Sequence, residues 1–246
     1  MLAIVILAAG KGTRMESDLP KVLHRVNGKP LIEYVLDTAE SLNPDRIVAI
    51  VGHQRDLVCK QLNNKELEFV IQEPQLGTGH AVQQAEPVLV DFDGEVIVLS
   101  GDVPLLRTDT LKKLQAVHRN VQANATVLST TAHDPKAYGR IVRNDRGEFE
   151  RIVEEREASD EERKITEINS GVYCFHSKTL FDALYSLKAD NSKGEYYLTD
   201  VIATLKERGF RVQAVNIAEF YEVRGINTQA ELEAVEAQLN NSVFNN

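Results

Sequence analysis

Two cations and two glycines crowd into one short stretch, Gly10-Lys11-Gly12-Thr13-Arg14-Met15, and a third cation, Lys21, follows closely. The stretch comes directly after an apolar run that ends in Leu7-Ala8-Ala9. Small residues at the carboxyl end of a strand let backbone N–H groups approach a ligand, and consecutive N–H groups form an anion-binding nest. Arg14 and Lys21 add fixed positive charge that a plain strand-to-helix turn does not require. This pattern suits the holding of phosphates. Two other glycine motifs do not fit. A dinucleotide fingerprint needs Gly or Ala where Met15 stands, and a Walker A loop needs Gly-Lys-Ser/Thr after a four-residue gap.

Two more segments carry groups of interest. Gln72-Glu73-Pro74-Gln75-Leu76-Gly77-Thr78-Gly79-His80 follows an apolar run and opens a helical pattern. The Gln72 amide offers both a donor and an acceptor, while Thr78 also suits a helix N-cap. His80 reads as structural, because no partner for an imidazole base is apparent in the sequence. Asp102, in Ser100-Gly101-Asp102-Val103-Pro104, closes another apolar run. A carboxylate at a strand's end can hold Mg²⁺ over a phosphate, since that ion takes one or two protein ligands and fills the rest with phosphate and water. The alternative for Asp102 is a turn or helix cap.

Gly10–Met15, Leu19-Pro20-Lys21-Val22-Leu23 and Gly28-Lys29-Pro30-Leu31 together resemble the signature of the sugar-phosphate nucleotidyltransferases. From Met1 to about residue 240 the chain resembles the uridylyltransferase domain of the bifunctional bacterial N-acetylglucosamine-1-phosphate uridylyltransferases. The resemblance implies that Leu7, Ala8, Ala9, Gly10, Lys11 and Gly12 bind UTP and that Arg14 and Lys21 are catalytic. It implies uracil contacts from Gln72, Gly77 and Thr78, and a substrate contact from Ser100 and Gly101, with Ser100 standing where the family often has Tyr. It implies Mg²⁺ on Asp102 and Asn227, although Asn227 adjoins the capping signature Thr228-Gln229-Ala230-Glu231 and capping competes for it. Gly139, Glu154 and Asn169 match the positions that bind the sugar, and Arg156 stands where the family commonly has Lys. Gly194–Asp200 either lines the sugar side or simply starts a helix.

The implied reaction joins UTP to N-acetylglucosamine 1-phosphate, giving UDP-N-acetylglucosamine and pyrophosphate. The alternatives are another hexose 1-phosphate or NTP, or a non-catalytic protein that binds nucleotide sugars. Hexapeptide repeats of a left-handed β-helix are missing from residues 1–246, so acetyl-CoA-dependent activity is not expected.

These groups need a scaffold. Ala3–Ala8, Arg46–Val51, Glu68–Ile71, Glu95–Ser100 and Ala125–Thr130 are rich in Val, Ile and Leu, as befits strands covered on both faces. Between them, 31–42, 55–62, 78–90 and 108–117 have helical period. This alternation predicts an α/β fold, Rossmann-like, with a mixed, mainly parallel sheet and helices on both faces. After residue 131 the pattern changes. Arg140–Arg143 and Glu148–Val153 flank a turn at Asn144–Gly147 and read as a hairpin. Asn169–Phe175 and Arg211–Val215 read as strands, 178–187 and 198–208 as helices, and the charged run 154–164 as a solvated loop or short helix. The second half reads as a β-rich sugar-binding insertion or lid on the same sheet. Residues 1–227 are expected to form the nucleotidyltransferase domain, and 228–246 a terminal helix with a frayed tail.

The 28 basic and 37 acidic side chains leave a net charge of −9, which argues against broad binding to nucleic acid or anionic membrane. Residues 10–30 reverse that sign, with Lys11, Arg14, Lys21, Arg25 and Lys29 against Glu16 and Asp18. Cys59 and Cys174 match no metal spacing and suit core packing. With no secretion signal or long apolar run in the sequence, a cytoplasmic location is expected. The oligomeric state is not readable.

Overall fold

A computed structural model describes residues 1–15, 17–191 and 193–243. Glu16 and most of the tail at 242–246 lie outside these. The strands in chain order are β1 (Leu2–Ala8), β2 (Arg25–Val26), β3 (Lys29–Pro30), β4 (Arg46–Val51), β5 (Glu68–Ile71), β6 (Glu95–Ser100), β7 (Ala125–Thr131), β8 (Arg140–Arg143), β9 (Phe149–Val153), β10 (Glu167–His176) and β11 (Val212–Asn216). The helices are α1 (Leu31–Glu40), α2 (Arg55–Gln61), α3 (Thr78–Gln83), α4 (Glu86–Leu89), α5 (Thr108–Asn120), α6 (Ser177–Leu184), α7 (Leu198–Glu207) and α8 (Gln229–Val243).

The main sheet has the order β11-β7-β10-β6-β1-β4-β5, with β8 paired to β10 and β9 to β8. Along that order β10 alone runs against its neighbours. The fold is therefore the mixed, mainly parallel α/β sheet that the alternating pattern predicts. Period-two alternation divides the core. Ala3 and Val5 of β1 face the cluster that holds Ala81, Val82, Leu180, Leu198 and Ile202 from α3, α6 and α7. Leu2, Ile4, Ile6 and Ala8 face the cluster with Ile32, Leu36, Val58, Leu111 and Leu114 from α1, α2 and α5. Cys174 is fully buried in this second cluster and Cys59 packs at its margin.

Several boundaries differ from the sequence reading. The expected helix over 78–90 is two pieces, α3 and α4, because Pro87 at the start of α4 lacks the N–H that a continuous helix would use. The charged run 154–164 holds one short 3-10 turn, Glu162–Lys164, and Glu154–Glu157 at its beginning lines a cavity instead of lying free in solvent. The β2–β3 hairpin, unread in the sequence, turns on Asn27-Gly28, both at positive φ. Among the described residues no helix is long and apolar enough to cross a membrane.

Candidate functional site

The carboxyl ends of β1, β4, β5 and β6 meet at one sheet edge, where ligands bind in open α/β folds. Because β10 is reversed, its amino end reaches that edge too. Asn169 pairs with Ser129 there, and the ladder then shifts register across Gly171 before Tyr173. A cavity of about 1050 Å³ opens along this edge. It is lined by Leu7, Ala8, Ala9, Gly10, Arg14, Lys21, Gln72, Gly77, Thr78, Ser100, Asp102, Glu154 and Asn169. Thirteen of the expected site residues thus share one wall system.

Five other expected residues are not in that lining. Lys11 is exposed. Gly12, at φ 61°, is where the loop crosses Lys21, since a Cβ at 12 would sit 2.7 Å from Lys21 Cβ. The Gly101 N–H donates to the Leu7 carbonyl at 2.9 Å. The Gly139 carbonyl accepts from the Asn169 N–H at 2.8 Å, so Gly139 positions Asn169. Asn227 joins the site through the cations. Its Oδ1 accepts from Arg14 Nη2 at 2.7 Å and from Lys21 Nζ at 3.1 Å.

Lys21 also forms an ion pair with Asp102. Asp102 is fixed from behind, because its carbonyl accepts from the Ile226 N–H at 3.0 Å and so draws the segment 225–227 against it. Capping and cation binding do not compete at Asn227. Thr228 Oγ1 accepts from the Glu231 N–H at 3.2 Å, and Glu231 Oε2 takes the N–H groups of Asn227 and Thr228. The capping box therefore uses the Asn227 backbone and leaves its side-chain oxygen for the cations. Two oxygen donors, from Asp102 and Asn227, converge on one positive centre. Gly225 lies beside both, since a Cβ there would sit 3.4 Å from Asp102 Oδ2 and 3.8 Å from Asn227 Nδ2, in van der Waals contact. This donor set fits a hard divalent cation with one or two protein ligands. Among the described residues no cluster of three His, Cys, Asp or Glu side chains offers a fuller cage.

The Gln72 segment docks on the start of α7. Gly77, at φ 107°, and Gly79 let two backbones meet, with Gly79 N–H to the Tyr196 carbonyl and Tyr196 N–H to the Leu76 carbonyl, both at 2.8 Å. A Cβ on Gly77 would lie 2.6 Å from the Tyr196 oxygen. Thr78 does cap a helix, but not its own. Its Oγ1 accepts from the Leu198 N–H of α7 at 3.1 Å. This docking carries Tyr197 and Thr199 into the cavity wall.

Across the cavity, Thr199 Oγ1 donates to Glu154 Oε1 at 3.0 Å. Burial raises the Glu154 pKa against that bond. Burial, then the nearby Glu157 and Glu154, pushes Asp200 up to about 6. Asn169 Nδ2 donates to the Tyr173 hydroxyl at 2.7 Å, and Asn169 Oδ1 accepts from the Gly171 N–H at 3.1 Å. Each atom retains capacity for one more partner. Sequence reasoning missed Gln75, Glu155, Glu157 and Tyr173 as lining residues. Buried Arg140 holds Glu155 by an ion pair and bonds the Tyr138 carbonyl, and an arginine inside a short amphipathic strand was the available signal.

Residues 4–208 match the MobA-like NTP transferase domain. The Bifunctional protein GlmU of Latilactobacillus sakei is 50% identical over 228 residues, covering 93% of this chain and 49% of that protein. GlmU of Bacillus subtilis is 47% identical over 232 residues, covering 94% and 51%. The chain thus spans about half the length of these relatives. A solved UDP-glucose pyrophosphorylase in complex with UDP-glucose superposes with a TM-score of 0.76 at 19% identity, covering 98% of each chain, which establishes likeness of fold.

Proposed function

The chain belongs to the MobA-like NTP transferase family, and from that premise we propose that it transfers a uridylyl group from UTP to N-acetylglucosamine 1-phosphate. The products are UDP-N-acetylglucosamine and pyrophosphate. The observation that carries this reading is a single cavity lined by Arg14, Lys21 and Asp102 together with Gln72, Glu154 and Asn169. Cations for a triphosphate and polar groups for a base and a sugar are thereby within one substrate's reach. The identity to the GlmU proteins over nearly the whole chain supports the choice of uridine and of the acetylated sugar.

In the proposed reaction a phosphate oxygen of the sugar phosphate attacks the α-phosphorus of UTP. The bond from that phosphorus to the β-phosphate oxygen breaks, and pyrophosphate leaves. The nucleophile is already ionised at neutral pH, so catalysis rests on positioning and charge neutralisation. Arg14 stabilises the departing β,γ-phosphates, and Lys21 offsets charge that develops near the α-phosphate. Asp102 and Asn227 would hold Mg²⁺, which when bound supplies charge neutralisation across the phosphates. Leu7–Gly12 form the loop that receives the triphosphate, with Ser100 and Gly101 beside it. Gln72, Gly77 and Thr78 take the uracil, while Glu154, Asn169 and the Gly139 segment take the sugar.

A panel of UTP, CTP, dTTP and GTP against N-acetylglucosamine, glucose and galactosamine 1-phosphates, scored by pyrophosphate release with and without Mg²⁺, tests the reading. UTP with N-acetylglucosamine 1-phosphate and Mg²⁺ should lead the panel. Preference for another pair would reassign the substrate, and tight UDP-sugar binding without turnover would make the protein a binder.

A further inference from the structure

His80 lies one helical turn from the Gln72 loop and has no part in the phosphate chemistry. Its Nδ1 is 3.2 Å from Gln72 Nε2. The same Nε2 donates to the Gly77 carbonyl at 2.8 Å. A carbonyl can only accept, so the amide nitrogen must face Gly77, and the amide cannot turn over without setting oxygen against oxygen. Both Nε2 hydrogens are then committed, one to Gly77 and one to His80. His80 Nδ1 must be the acceptor, which places the ring proton on Nε2. Burial lowers the His80 pKa and so favours this neutral ring. Gln72 is itself buried and lines the cavity, and its Oε1 accepts no hydrogen bond among the described residues.

We propose that His80 is a positioning residue for nucleotide selection, holding the Gln72 amide so that its Oε1 is a fixed acceptor facing the base site. The proposal rests on the uridylyl-transfer reading. Uracil carries a proton on N3 and satisfies such an acceptor, whereas cytosine has a lone pair at N3 and opposes it. A site built around one orientation rejects the wrong base because a buried polar group is left unpaired. Gly77 alone leaves the second Nε2 hydrogen unheld, and His80 supplies the constraint that sequence position does not reveal.

The test compares the wild-type protein with His80→Phe, which keeps a ring against Tyr196 but removes the acceptor, and His80→Asn, which offers an amide oxygen in place of Nδ1. The readouts are kcat and KM for UTP and CTP, calorimetric binding of both nucleotides, and thermal melting. His80→Phe should lower the UTP-over-CTP preference about tenfold or more, chiefly through KM for UTP, and His80→Asn should restore most of it. If Phe unfolds the protein, His80→Leu takes its place. An unchanged preference in a folded Phe or Leu variant overturns the proposal. So does an equal loss for both nucleotides in Phe and Asn, which marks a merely structural side chain. Wild-type protein that binds UTP no better than CTP instead overturns the uridine reading itself.

Discussion

At position 227 one short side chain could serve a helix or a cation, and the division of labour is visible atom by atom. Its N–H goes to Glu231 Oε2 at 2.7 Å, while its Oδ1 faces Arg14 and Lys21. Spacing in the sequence could place the capping box but not this split, which depends on Arg14 and Lys21 arriving from the far end of the chain. Lys21 is the centre of the cluster, bonded to both Asp102 and Asn227. Charge on the α-phosphate grows between ground and transition state, so a lysine acting there should affect turnover more than binding. Lys21→Met is expected to lower kcat by roughly 10²–10³-fold while KM for UTP moves by only a few-fold. Steady-state pyrophosphate release at saturating substrate checks this, and full turnover in the variant would remove Lys21 from the chemistry. Lys21→Arg should rescue poorly, because a planar fork does not match a point charge that contacts Asp102 and Asn227 together.

Elements decide which residues can meet. The docking of Gly77–Gly79 on Tyr196–Leu198 joins the Gln72 side of the cavity to the Glu154 side, so under the proposed function a fault in it should disturb the binding of both substrates. Gly77→Ala combines a φ of 107° with a Cβ 2.6 Å from the Tyr196 oxygen. It should cost about 1–3 kcal/mol and raise KM for both substrates. Thr78→Val deletes the cap on α7 together with a hydroxyl beside the proposed uracil site, and should cost about 1 kcal/mol, a fall in Tm of roughly 2–4 °C, and raise KM for UTP alone. Melting curves with substrate KM values separate the two. If Gly77→Ala melts as wild type does, the docking is looser than these distances require. The strands β1, β4, β6 and β7 were legible because their apolar runs are buried on both faces, a property written locally, and the half-buried edge strand β5 was legible from Phe69-Val70-Ile71. The reversed β10 was legible as a strand but not as a reversed one, since its direction follows from pairing with β6 and β7 from more distant parts of the chain. For the same reason Asn169 could be matched to the sugar side only by resemblance. The β2–β3 hairpin had a readable signal in Asn27-Gly28, and the break before α4 had one in Pro87. Thr78 read locally as a cap, and only its recipient across the fold was beyond local reading.

The whole molecule carries −9, yet its response to acid should depend strongly on one buried imidazole. His118 completes the stripe Thr110, Leu111, Leu114 and His118 on the inner side of α5. It is 4% exposed, and its Nδ1 lies 2.9 Å from Thr126 Oγ1 on β7. Burial lowers its pKa to about 4, with Glu95 pulling the other way and His176 and Arg119 adding to the fall. In the unfolded chain the same imidazole protonates as the pH falls through about 6.5. Between those values the unfolded state binds more protons than the folded state, so stability must rise with pH there and stay level above it. Acidification from pH 7 to 4 should therefore remove roughly 2–3 kcal/mol through this residue alone. Half-buried Asp200 works in the opposite sense, because its raised pKa of about 6 makes ionisation oppose folding as the pH climbs from about 4 to 6. A comparison with His118→Asn cancels Asp200, which both proteins retain, and keeps a polar group near Thr126. The Tm of wild type minus that of the variant should be most favourable to wild type at pH 7–8 and fall by roughly 5–10 °C on approach to pH 4. A difference that stays constant from pH 8 to pH 4 would mean that His118 is not held neutral inside the fold.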